Sequence, residues 1–235
     1  MAWRAAAAAI AVGALATCTT RRPEPPIAQT IDQITTALRS GNLERAIEIA
    51  ARARSRHPTD ANVAWWSSVV ADLLWQDDRA ITEQITALRN ARTAGAPQEV
   101  LKPISGRLGD LLFQAGRWGE CSGPLLGGAV GDDAVRRRSF ATVASTLAYL
   151  RKPSGPLLTE QPLLPGDAPE FVCGAGDKLR PFAIDTGTSM TTIARSFAAE
   201  LGVRNQMSAG AALDGTGQQL AIDVAAIEGF TVGDV

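Results

Sequence analysis

At 235 residues the chain has room for two modest domains, and 46% apolar with 20% charged residues is the balance of an ordinary globular protein. A formal net charge of −1, with acidic and basic residues interspersed, excludes the electrostatic footprint of a nucleic-acid binder. A single histidine, His57, and the lack of any Cys-x-x-Cys leave no metal-ligand pattern and no Ser-His-Asp or Cys-His set, so carboxylate chemistry remains and no metal or cofactor is expected.

Arg4 is followed by an alanine-rich apolar stretch from Ala5 to Ala16, too short to cross a bilayer as a mature helix, which predicts a secretory signal over residues 1–18. Two cleavage readings stay open. Ala14-Leu15-Ala16 fits the small-x-small site of ordinary signal peptidase. Leu15-Ala16-Thr17-Cys18 resembles a lipoprotein box in which Cys18 becomes lipidated, although Thr17 stands where Gly, Ala or Ser is usual. The second is preferred because Cys18 is otherwise unexplained in a chain of three cysteines. The expected location is exported, periplasmic or in the cell envelope, with membrane contact only by the lipid anchor. Thr19 to Pro26, rich in proline and charge, reads as a tether. In an oxidising compartment Cys121 and Cys173 either pair or remain two separate thiols; the second is favoured because they fall in different predicted domains.

From Ile27 to about residue 152 the periodicity is helical with short polar or glycine breaks, and no run reads as a strand. Gly41-Asn42-Leu43-Glu44-Arg45-Ala46, followed by Ile47, Ala50, Ala51 and Pro58, resembles the second helix of a tetratricopeptide repeat. A weaker echo starts at Gln76-Asp77-Asp78-Arg79-Ala80, with Ala80 34 positions after Ala46, the period of that repeat. A third, Ala115-Gly116-Arg117-Trp118-Gly119-Glu120-Cys121, puts Cys121 at the small position. Repeats of this kind commonly present a surface to peptides or other proteins, so a protein partner on the helical half is one expectation; helices that pack among themselves and bind nothing are the other. Trp65, Trp66, Trp75 and Trp118 could anchor a partner in a groove, but at helical spacing the core is the preferred expectation, and Arg136-Arg137-Arg138 is expected on a solvated helix face.

Residues 153–169 hold five prolines and two glycines and read as a linker or surface strap, with Leu157, Leu158, Leu163 and Leu164 packing part of it down. From residue 170 the pattern changes. Phe171-Val172-Cys173, the turn Gly174-Ala175-Gly176-Asp177 and Leu179 to Ile184 predict a hairpin that delivers Asp185-Thr186-Gly187-Thr188-Ser189. A helix closes with Ala198-Ala199-Glu200-Leu201-Gly202, and Asp214-Gly215-Thr216-Gly217 turns the chain into the strand Leu220 to Val224. Asp, Thr and Gly are ordinary turn residues, so the tripeptide alone says little; the elements around it give it weight.

This arrangement, over residues 170–235, resembles the retropepsin-like aspartic proteases, in particular bacterial single-lobe forms attached to other domains. The resemblance implies a mainly β acid-protease lobe behind the tetratricopeptide-like helical array, a multidomain α plus β chain. It implies Asp185 as the catalytic carboxylate, Thr186 bonding across a dimer, Gly187 permitting the turn and Ser189 orienting Asp185. Gly215, Thr216 and Gly217 would form the flap over an extended polypeptide substrate. Two carboxylates sharing one proton activate water in this chemistry, and the chain carries one Asp-Thr-Gly, so the resemblance implies a homodimer. Two departures stand out. Thr188 occupies a position where the family more often has Ala, and the sequence stops at Gly233-Asp234-Val235, before the apolar strand and second glycine turn that complete such a lobe. The alternative expectation is an envelope adaptor whose repeats bind a protein and whose protease-like lobe is incomplete and inactive. A metal-carboxylate site has little support, since Asp185, Asp214 and Asp223 are scattered.

Overall fold

The computed structural model describes residues 25–148, 164, 169–183, 191–213 and 217–232. The described chain is α plus β: an N-terminal helical array, then a few small antiparallel strands. The helices are α1 (Ile27–Arg39), α2 (Leu43–Arg56), α3 (Ala61–Leu73), α4 (Asp77–Thr93), α5 (Gln98–Gln114), α6 (Trp118–Gly127) and α7 (Ala134–Leu147), the last preceded by a single 3-10 turn at Gly131–Asp133. Short connections make each helix pack on the next, and contacts of α1 with α3 and of α5 with α7 add a second neighbour. Asn42 and Asp60 cap α2 and α3 by accepting from the amides of Arg45 and Val63. Among the described residues no helix is long and apolar enough to cross a membrane.

The three echoes in the sequence correspond to one repeated local geometry. Ala46, Ala80 and Cys121 are each the fourth residue of α2, α4 and α6, and each is fully buried. A small side chain there lets paired helices approach; Ser68 of α3 comes close enough to donate to the Ala80 carbonyl at 2.8 Å. Five residues before each small position the backbone is left-handed, at Gly41 (φ 72°), Trp75 (φ 56°) and Gly116 (φ 65°). In each the left-handed residue bonds the carbonyl three before it, and the next residue bonds the carbonyl five before it, the double bond of a Schellman cap. Trp75 thus occupies a position filled by glycine in the other two pairs.

Burial of the tryptophans follows from this. Trp65, Trp66 and Trp118 pack against the two helical cores, and Trp118 donates to the Phe113 carbonyl at 3.2 Å. Trp75, expected in the core, is instead 86% exposed, on the left-handed turn that closes α3. The arginine run also departs from expectation. Arg138 is exposed and Arg136 half-buried, but Arg137 is buried, donating to the Gly128 carbonyl at 2.8 Å and to Asp110 at 3.0 Å. Space for it exists because Gly106 and Gly128 lack side chains: a Cβ on Gly106 would lie 1.8 Å from the Arg137 guanidinium. Burial raises the Asp110 carboxyl above its ordinary value, against the opposing pull of Arg137 and Arg136.

Leu164 forms a bridge to Glu170, and the rest of the expected linker, 153–163 and 165–168, lies outside the described residues. Strands β1 (Glu170–Ala175) and β2 (Lys178–Ala183) form a tight hairpin through Gly176-Asp177, with Gly176 at φ 61°. Strand β5 (Phe230–Val232) pairs with the other side of β1, giving the order β2-β1-β5. A short helix α8 (Arg195–Glu200) follows β2, and β3 (Met207–Leu213) with β4 (Gln219–Val224) make a separate two-stranded sheet. The expected hairpin, helix and second antiparallel pair are therefore present in that order among the described residues, while Asp214, Gly215 and Thr216 of the expected turn lie outside them. Cys121 and Cys173 are unpaired, buried thiols; desolvation pushes Cys121 up to about 11 and raises Cys173 as well.

Candidate active site

Asp185, Thr186, Gly187, Thr188 and Ser189 lie within residues 184–190, outside the described residues, as do Gly215, Thr216 and Cys18. What the structure defines is the frame on either side. Strand β2 is an edge strand paired only with β1, and among its residues Phe182 alone is half-buried. Its ring meets Phe197 of α8 edge-on at 6.3 Å and Phe230 of β5 at 5.5 Å. Arg180 of β2 reaches Glu200 of α8 at 2.5 Å and lies over the Phe197 ring, while Lys178 donates to the Glu200 carbonyl. The element that leads into 184–190 and the helix that follows it are thus packed side by side by one aromatic cluster and one cationic pair on a carboxylate-bearing helix end.

One ion pair ties the β3–β4 hairpin to the same helix. Arg195, the first residue of α8, pairs with Asp223 of β4 at 2.7 Å. Gly217, the described part of the turn, is exposed and left-handed at φ 83°, a conformation that glycine adopts without a Cβ clash. A bulge between Ser208 and Gly210 interrupts the β3–β4 register. Among the described residues no group of three His, Cys, Asp or Glu side chains could hold a metal ion.

The helical array carries a separate concavity. A groove of about 550 Å³ between α4, α5 and α6 is lined by Ile85, Leu88, Arg89, Arg92, Leu108 and Pro124, among others. It combines an apolar floor with two arginines one helical turn apart on α4. The ties that hold the hairpin, Ser139 to Ser208 and Arg195 to Asp223, do not follow from the sequence pattern. Alternation along Ile222, Asp223 and Val224 was the available signal for Asp223, since adjacent strand residues face opposite sides; Ser139 had none. No known protein-family model matches the chain, and no curated protein matches it significantly.

Proposed function

We propose that the chain is an exported aspartic endopeptidase of retropepsin type, in which Asp185 from each of two copies shares a proton and activates water against a peptide carbonyl. The observation that carries this reading is the order of elements around the motif: β2, the Asp185-Thr186-Gly187-Thr188-Ser189 segment, α8 packed back on β2, then a glycine-turn hairpin. Thr186 and Ser189 supply hydroxyls to hold the carboxylates, and the hairpin around Gly215, Thr216 and Gly217 acts as the flap over an extended polypeptide. Exposed apolar surface at Leu179 and Leu220, 48% and 46% accessible, supports a second copy as partner. Cys18 is the lipid anchor in this account, and the helical array belongs to the tetratricopeptide-like class, which the three buried small positions support. The test is the concentration dependence of cleavage of an unfolded protein such as casein. A rate that rises with the square of chain concentration at dilution supports the shared dyad; strict proportionality from the lowest concentration contradicts it.

The groove between α4, α5 and α6 favours a second reading, an envelope adaptor that binds a protein through its helices and has no protease activity. Its prediction is a stable complex that survives Asp185→Asn and is lost on Arg89→Glu with Arg92→Glu. A complex indifferent to the groove substitutions would remove the reason for preferring that face.

A further inference from the structure

The β3–β4 hairpin is a two-stranded sheet that shares no strand with β2-β1-β5. A lone hairpin is at best marginally stable in water, so something outside it must hold it. Two contacts identify the support. Ser139 of α7 donates from its hydroxyl to the Ser208 carbonyl at 2.5 Å, at a site where Ser139 is 9% exposed. Val224 packs against the larger helical core, which includes Phe140 and Ala144 of α7. Ser208 and Asp223 are register partners, as are Met207 and Val224, so both contacts come from the same end of the hairpin.

Ser139 differs from its neighbours on the helix. Thr142, Ser145 and Thr146 of α7 return their hydroxyls to the carbonyls of Arg138, Ala141 and Thr142, four residues back, the common fate of a helical hydroxyl. Ser139 gives its hydrogen bond to the hairpin instead. The bulge between Ser208 and Gly210 lies at that seat, Ala209 within it is buried, and Gly210 takes φ 93°. Bulges bend a strand and re-aim it. Because adjacent strand residues face opposite ways, Val224 meets the helical core while Asp223 is turned to pair with Arg195 of α8.

We propose that α7 is the seat of the β3–β4 hairpin, and that through Ser139 and Val224 the helical array sets the pose of the hairpin and of the α8 helix it is paired with. Ser139 is a positioning residue: it touches the base of the hairpin and acts through it. On the endopeptidase reading, on which this consequence rests, the helical array positions the flap. Substrate affinity then depends on residues in α7 that make no contact with substrate.

The test is amide hydrogen exchange on the full chain, comparing wild type with Ser139→Ala, Ser139→Thr and Val224→Ala, alongside steady-state cleavage. Ser139→Ala removes one buried hydrogen bond and is expected to speed exchange across the β3–β4 ladder about fivefold, with amides of α3 and α4 unchanged. Ser139→Thr, which keeps the hydroxyl, restores the wild-type rate, and Val224→Ala reproduces the Ser139→Ala pattern. In cleavage, KM rises severalfold in Ser139→Ala while kcat changes little. Unchanged hairpin exchange in both Ser139→Ala and Val224→Ala overturns the proposal, as does a uniform acceleration throughout the chain. A chain that cleaves nothing defeats the endopeptidase reading but leaves the exchange result to decide the seat. A chain that cleaves, with hairpin exchange and KM unmoved by either Ser139→Ala or Val224→Ala, defeats the seat alone.

Discussion

Trp75 offers the sharpest test of the repeated helix-pair geometry, because its backbone sits at φ 56° where Gly41 and Gly116 take the corresponding positions. A left-handed conformation costs an L-residue about 1–2 kcal/mol, since Cβ crowds the following carbonyl. Glycine escapes that strain, and loses about 0.5–1 kcal/mol of it again through the greater freedom of its unfolded chain. Comparing Trp75→Gly with Trp75→Ala isolates the backbone effect, because both lose the same indole, which at 86% exposure contributes little. The expected result is that the Gly variant is more stable than the Ala variant by about 0.5–1 kcal/mol, or about 2 °C in thermal midpoint for a chain of this size. Far-UV circular dichroism during heating, with urea unfolding as a check on the free energy, reads the difference. Gly116→Ala should move the other way by a similar amount. Equal stability of the Trp75→Ala and Trp75→Gly variants would refute the claim that this turn is strained by its side chain.

Other consequences are independent of that turn. Gly109→Ala would put a Cβ 2.7 Å from the Leu125 amide nitrogen, and overpacking α5 against α6 in this way should lower stability by about 1–3 kcal/mol in urea unfolding. Asp110 has a folded carboxyl raised above its unfolded value near 3.8, so the folded state holds more protons than the unfolded one between those two values. Its contribution to stability therefore falls as pH rises through that window, and Asp110→Asn should remove this negative contribution, leaving the slope of stability against pH more positive above 3.8 than in wild type; an unchanged slope refutes it. Cys121, pushed up to about 11, holds only about one thiolate in a thousand at pH 8, so Cys121 and Cys173 should resist an aromatic disulfide reagent in the folded protein and both react in denaturant. Fast labelling of either without denaturant would contradict their burial.

The helical half was legible because its signals are local. Apolar spacing and the polar or glycine breaks at helix ends act within a turn or two of the chain. The small positions Ala46, Ala80 and Cys121 are fully buried at the same place in α2, α4 and α6. Trp75 departs from the core position expected of its residue type because, aligned with Gly41 and Gly116, it falls on the residue that turns left-handed, and its side chain is exposed there. Arg137 departs from the solvated face for a non-local reason. Its burial depends on Gly106 and Gly128, whose missing side chains open a slot that no local pattern in α7 announces. In the strand-bearing part the order hairpin, helix, hairpin was readable from alternation and glycine turns. That β3–β4 forms its own sheet, seated on Ser139, was not, because it is a contact between segments nearly seventy residues apart and a serine in a helix carries no sign of it. The residues at the centre of the endopeptidase reading, Asp185 to Ser189, rest on their sequence and on the β2 and α8 frame that brackets them.

The most direct measurement is cleavage of an unfolded polypeptide by the purified chain and by Asp185→Asn, side by side from pH 4 to pH 7. The wild-type chain should hydrolyse peptide bonds with an acidic to neutral optimum, and the variant should lose at least about a hundredfold, since a dyad without its carboxylates has no group to activate water. Equal cleavage by both proteins would contradict the assignment of Asp185 and with it the endopeptidase reading.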